Sequence, residues 1–314
     1  MACLMDMCTL HLGAPESHPY ENEDAYREAI FQATDLVRAA DAIVVGIGSG
    51  MSSACGYDFY QRTDEFDNRF ARFERVHGIR NLMEGFYHAY ATNEERWAYL
   101  AEYITYLEDC PVGQAYQALR ELLADKPHTI LTTNVDGQVR RAFPTQSTWL
   151  FQGDFGYLQC AQPCCDELTY ALPAMRAICD AVGPEGLAAP SDLLPRCPHC
   201  GWLQVPWVRD DTFCEQGRWQ QEKQRYERFV SEAIAGADRV LFMELGVGGM
   251  TPSIIEIPFW RMVAGNENAF YLRINKGKAG EPQQLEGRSL TVTADLADAL
   301  GHMAHRDAAC GQNR

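Results

Sequence analysis

The sequence predicts an α/β fold, with a Rossmann-like parallel sheet covered by helices on both faces and a smaller domain, part helical and part cysteine-rich, beside it. Three observations predict it. Short β-branched runs recur, each ending in a glycine or polar turn; an amphipathic helix leads into the first; and two long stretches fall outside that pattern.

Residues 21–39, ENEDAYREAIFQATDLVRA, carry apolar side chains at helical spacing with acids first, which suits the positive end of a helix. Asp41–Val45 (DAIVV) then reads as a buried parallel strand running into Gly46. The same pattern returns at His128–Asn134 (HTILTTN), Asp238–Gly246 (DRVLFMELG) and Ala269–Asn275 (AFYLRIN). Ligands of open α/β sheets gather outside the carboxyl ends of the strands, so four such turns are expected to converge on one crevice.

Residues 57–110, aromatic and helical in period, and 157–215, rich in Cys and Pro, are expected as insertions that build the smaller domain and a lid. The large domain is then discontinuous, over 21–56, 111–156 and 216–302, and 303–314 is expected as a tail, frayed from Arg306 onward. There is no internal repeat and no low-complexity tract.

With 314 residues, 46% hydrophobic and 22% charged, the chain can bury one large core and support a smaller module. No stretch approaches the roughly 18 apolar residues of a membrane helix, and Met1–Tyr20 lacks a basic start followed by an apolar core, so a soluble, cytoplasmic protein is expected. A formal net charge of −16 disfavours a nucleic-acid partner, whose phosphates are held by clustered Lys and Arg. Twelve cysteines in such a chain read as free thiols or metal ligands rather than disulfides.

The first strand is followed by Gly46-Ile47-Gly48-Ser49-Gly50-Met51-Ser52-Ser53-Ala54-Cys55-Gly56. Glycines there let a backbone approach a pyrophosphate, and amides at the next helix start bind its charge. A plain tight turn is the competing reading. Further on, Cys160-x3-Cys164-Cys165 and Cys197-Pro198-His199-Cys200-Gly201 have the two-knuckle form of a structural zinc ribbon. Cys160, Cys197 and Cys200 are expected ligands, with the fourth either Cys164 or Cys165. The competing reading is a set of plain thiols. His77, His88 and His128 sit in no motif and read as surface or structural.

The segment Gly48–Gly56 resembles the sirtuin (Sir2) NAD-binding loop, Gly-Ala-Gly-x-Ser-x-x-x-Gly. Thr132-Thr133-Asn134-Val135-Asp136 resembles the family's Thr-Gln-Asn-Ile-Asp, and Arg273-Ile274-Asn275 falls where the family has Ile-Asn after a late strand. The ordered matches span roughly residues 36–300. The resemblance implies NAD+ as co-substrate and a structural Zn2+. It implies that Gly48, Ser49, Gly50, Met51, Ser52, Gln61, Thr133, Gly246, Val247, Gly248 and Asn275 line the cofactor site. Asn134 would position the nicotinamide ribose or a water, Asp136 the nicotinamide carboxamide, Gln152 the ribose hydroxyls and Asn275 the adenosine ribose. Helix capping by Asn134 and Asp136, and a plain loop amide for Gln152, are the competing readings.

The departures bear on the chemistry. Asp58-Phe59-Tyr60-Gln61 replaces the family's Pro-Asp-Phe-Arg, and Gly246-Val247-Gly248 replaces Gly-Thr-Ser. Where sirtuin deacylases carry a His-Gly pair, this chain reads Phe151-Gln152-Gly153-Asp154, and a glutamine amide cannot be a general base. The Gln-Gly-Asp variant, the doubled Gly46-x-Gly48-x-Gly50 loop and Glu244–Pro252 (ELGVGGMTP) are similar to the macrodomain-linked class M sirtuins. That likeness implies a protein mono-ADP-ribosyltransferase whose acceptor is a lipoylated carrier related to the glycine-cleavage H protein, working beside a macrodomain hydrolase. The alternatives are an NAD+-dependent deacylase, a non-catalytic NAD+-binding module and, ranked last, a hydride-transfer dehydrogenase.

Overall fold

The computed structural model describes residues 20, 22–144, 148–249, 252–277, 285 and 287–311. Nearly all of Met1–Tyr20, Glu21, Met250-Thr251 of the Glu244–Pro252 motif and the last residues, 312–314, lie outside the described residues. Among the described residues no helix is long and apolar enough to cross a membrane.

Helix α1 (Glu23–Ala39) starts at Asn22, whose side chain accepts the Ala25 amide, and its acids Glu23 and Asp24 occupy the first turn. It leads into β1 (Ala42–Ile47), which is buried along its whole length. A single turn, α2 (Gly50–Ser53), follows. The aromatic stretch forms α3 (Asp64–His77), α4 (Leu82–Tyr87) and α5 (Asn93–Asp109), the first opened by the Thr63 cap and closed by Gly78 at φ +71°. Then come α6 (Gln114–Leu122), β2 (His128–Thr132), α7 (Gln138–Ala142) and β3 (Thr148–Leu150). Next are β4 (Gly153–Cys160), β5 (Thr169–Tyr170), α8 (Leu172–Val182) and β6 (Gln204–Val208). The chain closes with α9 (Arg218–Gly236), β7 (Val240–Leu245), α10 (Glu256–Gly265), β8 (Ala269–Ile274), β9 (Ser289–Val292) and α11 (Leu296–Gly311).

Six strands make one sheet in the order β3-β2-β1-β7-β8-β9, every pair parallel. One face buries Ile43, Val45, Leu241, Met243 and Leu272 under α1, α6 and α11; the other buries Val44, Phe242 and Tyr271 under α9 and α10. Burial on both faces is why these strands read as continuous apolar runs. Gly46 lies inside β1, where an added Cβ would fall 2.3 Å from Ile255 Cγ2, so it serves close packing of α10 rather than the ligand loop.

The remaining strands form an antiparallel sheet, β5-β4-β6. β4 starts at Gly153, ahead of the 156/157 boundary expected from sequence. Phe66, Phe70 and Phe73 of α3 pack with Tyr99 and Tyr103 of α5, and the same core takes in Phe155 and Leu158 of β4 and Met175 of α8. The helical stretch and the cysteine-rich stretch therefore share a single core. The tail expected at 303–314 is helical as far as Gly311, because Leu296, Ala299, Leu300 and Met303 recur at helical spacing against the large core and extend the helix.

Candidate functional site

The chain winds outward from β1 to β2 and β3, then returns to the other side of β1 with β7. The strand order thus reverses between β1 and β7, and the turns beyond their carboxyl ends face each other there. The Gly48 amide donates to Leu245 O and the Gly50 amide to Gly246 O, both at 2.9 Å, zipping the two turns together. A Cβ on Gly48 would lie 2.7 Å from Gly246 O, and one on Gly246 would lie 2.7 Å from Met51 N. Gly246 also takes φ +62°. Backbone meets backbone at all three glycines, including Gly50, which leaves a cradle walled by main chain. Ser49 and Gly248 are exposed on its rim, while Met51 and Ser52 are buried behind it.

Behind the cradle, Asn134 Nδ2 donates to Gly48 O at 3.0 Å and to the Tyr116 hydroxyl at 3.1 Å. The Ser52 hydroxyl donates to Asp136 Oδ2 at 2.5 Å and lies 2.8 Å from Tyr116 Oη. With Ser52 committed as donor to the carboxylate, the bonds run in one direction: Asn134 Nδ2 to Tyr116 Oη, Tyr116 O–H to Ser52 Oγ, Ser52 O–H to Asp136. Because Gly48 O only accepts, the carboxamide nitrogen must face it, and Asn134 Oδ1 is turned the other way. Burial pushes the Asp136 carboxyl above the usual range, while the Ser52 hydroxyl and the Gln138 amide pull it partly back.

The Gln138 amide, first in α7, donates to Asp136 Oδ1 at 3.0 Å across the Gly137 N-cap, while the other oxygen serves the cluster. Thr133 links the same turn to β1 through its amide and Ile47 O, at 3.1 Å. Asn275 Nδ2 donates to Val247 O at 3.0 Å and Oδ1 accepts from the Gly277 amide at 3.0 Å, bracing the Gly246–Gly248 turn from β8.

Gln61 and Gln152 stand apart from this cluster. Gln61 is exposed, its amide bonded to Asp58 Oδ1 at 3.0 Å. Gln152 is half-buried just before β4, its carbonyl accepting the Arg209 amide at 2.9 Å, and neither side chain bonds to Asn134 or Asp136. The Arg209 guanidinium holds Phe151 O at 3.0 Å and lies over the Phe151 and Phe213 rings. Arg209 also borders a cleft of about 730 Å³, with Tyr87, His88, Tyr90 and Arg96 opposite it.

Sequence reasoning missed Tyr116, which sits in QAYQALREL at the same helical spacing as Ala115, Leu119 and Leu122 and reads as core. Nothing in the sequence separates its hydroxyl from its ring.

In the cysteine module the sulfurs of Cys160, Cys164, Cys197 and Cys200 all lie within 4.8 Å of one another. Cys160–Cys200 and Cys164–Cys197 are each 3.5 Å apart, near the roughly 3.8 Å that a tetrahedral ion with Zn–S of about 2.3 Å imposes. The donor set therefore fits a structural Zn2+. Cys164, not Cys165, completes it. Backbone amides of Cys200 and His199 hold the Cys197 thiol down to about 6, favouring the thiolate a metal takes.

No protein-family model matches the chain. It is 30% identical over 279 residues to a protein ADP-ribosyltransferase of Staphylococcus aureus, covering 87% of this chain and 86% of that one. It is 26% identical over 291 residues to a Fusarium oxysporum protein named probable bifunctional ADP-ribose hydrolase/ADP-ribosyltransferase, of whose length it spans 48%. Solved structures with the same fold include a Sir2 homologue bound to NAD (TM-score 0.58, 16% identity, 96% of this chain and 99% of that one). A mutant Sir2 homologue with ADP-ribose matches equally well (TM-score 0.58, 16% identity, 90% of this chain and 98% of that one). The chain has the fold of the Sir2 structures and belongs to the family of the Staphylococcus aureus protein ADP-ribosyltransferase.

Proposed function

We propose that the chain is an NAD+-dependent protein mono-ADP-ribosyltransferase. The bond between ribose C1′ and the nicotinamide nitrogen breaks, and its electron pair leaves with nicotinamide. A nucleophile of the acceptor protein bonds to C1′ and loses its proton to solvent. The relative from Staphylococcus aureus, matched over most of both chains, supports this class of reaction.

The observation that carries the reading is the chemistry at the start of β4. Gln152 stands there, and among the described residues no histidine lies in the turns after β1, β2, β7 or β8. A deacylase needs a base to take a ribose hydroxyl proton; direct capture of an oxocarbenium-like C1′ depends on positioning and electrostatics instead. In this reading the glycine cradle takes the pyrophosphate, Asn134 offers Oδ1 as an acceptor toward the nicotinamide ribose or a water, and Asp136 meets the nicotinamide carboxamide. Gln152 holds the ribose hydroxyls, Asn275 the adenosine side through the turn it braces, and Gln61 the nicotinamide end.

The acceptor we infer is a lipoylated carrier of the glycine-cleavage H type. The Fusarium relative's name joins an ADP-ribose hydrolase to a transferase in one chain, which supports a hydrolase as the partner that reverses the modification. Gln152→His tests the reaction class. A base is worth about 100-fold or more, so a deacylase that lacks one should gain that much deacetylation from the histidine. We expect no gain there and no rise in label transfer to protein.

A further inference from the structure

We propose that Arg140 is a positioning residue that locks the loop carrying Gln152 against the turn carrying Asn134 and Asp136, and so decides whether C1′ is captured by the acceptor or by water. Arg140 lies on α7, whose first amide, that of Gln138, donates to Asp136 Oδ1. Its guanidinium spans two carboxylates from different parts of the molecule. Nε donates to Asp154 Oδ2 at 3.1 Å, on β4 just beyond Gln152, and Nη2 donates to Glu108 Oε1 on α5. All three side chains are largely buried, Asp154 at 1% exposure and Glu108 at 4%. The Tyr170 hydroxyl on β5 closes the group by donating to Glu108 Oε2 at 2.8 Å.

The surroundings are shaped for this guanidinium. A Cβ on Gly156 would fall 2.4 Å from Arg140 Nη2, yet Gly156 does not take a positive φ, so its lack of a side chain answers the arginine and not the backbone. Tyr157 and Tyr170 cover the group, with ring centroids 5.4 and 5.9 Å from Arg140 Cζ. One backbone bond runs in parallel with the lock: the Phe155 amide donates to Val135 O at 2.9 Å. Nearby Arg141 is spent otherwise, capping the end of α5 at Leu107 O, Glu108 O and Cys110 O.

The two walls thus meet through Arg140. The cradle, Ser52, Asn134 and Asp136 belong to the large sheet, and Gln152 enters β4 of the small one. Bond cleavage at C1′ needs the first wall; capture by an acceptor needs the second at a fixed distance, where a displacement of about 1 Å costs about 100-fold. If the second wall drifts, water bonds to C1′ instead, giving ADP-ribose, nicotinamide and a proton. That partition rests on the transferase reading above; the lock itself does not.

The test uses the full chain with two variants. Arg140→Lys keeps the positive charge between the carboxylates but loses the planar fork that reaches both. Asp154→Asn keeps the shape of its partner. Hydrogen exchange should quicken by about tenfold or more at the Phe155 and Gly156 amides in both variants, with the Gly50 and Met51 amides unchanged. With labelled NAD+, the ratio of free ADP-ribose to protein-bound label should rise about tenfold while the KM for NAD+ stays within about twofold. Unchanged exchange at Phe155 and Gly156 overturns the lock, whatever the activity. Loosened exchange with an unchanged product ratio overturns its control of capture. If the unmodified protein labels no acceptor, the transferase reading fails, and exchange alone still decides the lock.

Discussion

Asn134 is held by a partner that can only accept, and this fixes which end of its carboxamide reaches the cleft. Replacing it by Ala removes one of the two hydrogen bonds at Gly48 O, the Met51 amide at 3.1 Å remaining, a cost of about 1 kcal/mol, and should abolish nicotinamide release while the circular dichroism spectrum stays native. Full nicotinamide release by that variant would remove Asn134 from the chemistry. Asp136 makes a pH prediction. Its native pKa lies above the ordinary 3.8, so between 3.8 and the raised value the folded state keeps a proton that the unfolded chain gives up. Stability therefore falls as pH rises through that window, and the burial penalty is fully present above it. Asp136→Asn removes the penalty, and the Ser52 hydroxyl can reverse to accept from the new amide. The variant should lose activity yet unfold at higher denaturant than the parent at about pH 7, the gap shrinking toward about pH 4. A gap that widens on acidification would contradict the burial account. Asn134 and Asp136 were legible as candidates through the resemblance of Thr132–Asp136 to the sirtuin Thr-Gln-Asn-Ile-Asp motif; Tyr116 was not, since helix periodicity reports a face and is silent about a hydroxyl.

Among the elements, the strands that read clearly are those buried on both faces, β1, β2, β7 and β8. β3, with three residues, and β9, with four, are too short to leave a periodic signal, and β9 is only partly buried. Both lie at the sheet's edges, where pairing to a neighbour, not composition, makes the strand. The cysteine spacing left Cys164 and Cys165 open because adjacent residues point apart, and only the fold selects one. Cys197→Ser should lose bound zinc and lower the melting temperature, whereas Cys165→Ser should keep one zinc per chain by elemental analysis. Equal zinc in the two variants would remove the ligand assignment. At the cradle, Gly48→Ala drives a methyl into Gly246 O and Val247 Cα, both backbone, so it should weaken NAD+ binding by about tenfold or more in calorimetry.

At the scale of the whole molecule, two sheets divide the work. The parallel sheet supplies a switch point with the glycine cradle and the Asn134–Tyr116–Ser52–Asp136 chain of hydrogen bonds. The small sheet and helices share one core, and the cysteine cluster at the end of β4 ties the Gln152 strand to β6. This division was partly legible, since residues 57–110 and 157–215 break the strand–turn pattern, but their common core is a long-range contact that no local window contains. The Arg140 lock was hidden for the same reason, its three charges coming from Glu108, Arg140 and Asp154 on separate elements. The central claim is that this site moves ADP-ribose onto protein and does not remove acyl groups. It is tested most directly by incubating the chain with labelled NAD+ in three arms: alone, with a lipoylated carrier protein, and with an acetyl-lysine peptide, following label and free nicotinamide together. The account predicts label on the carrier with matching nicotinamide release; deacetylated peptide with O-acetyl-ADP-ribose, and no labelled protein, would contradict it.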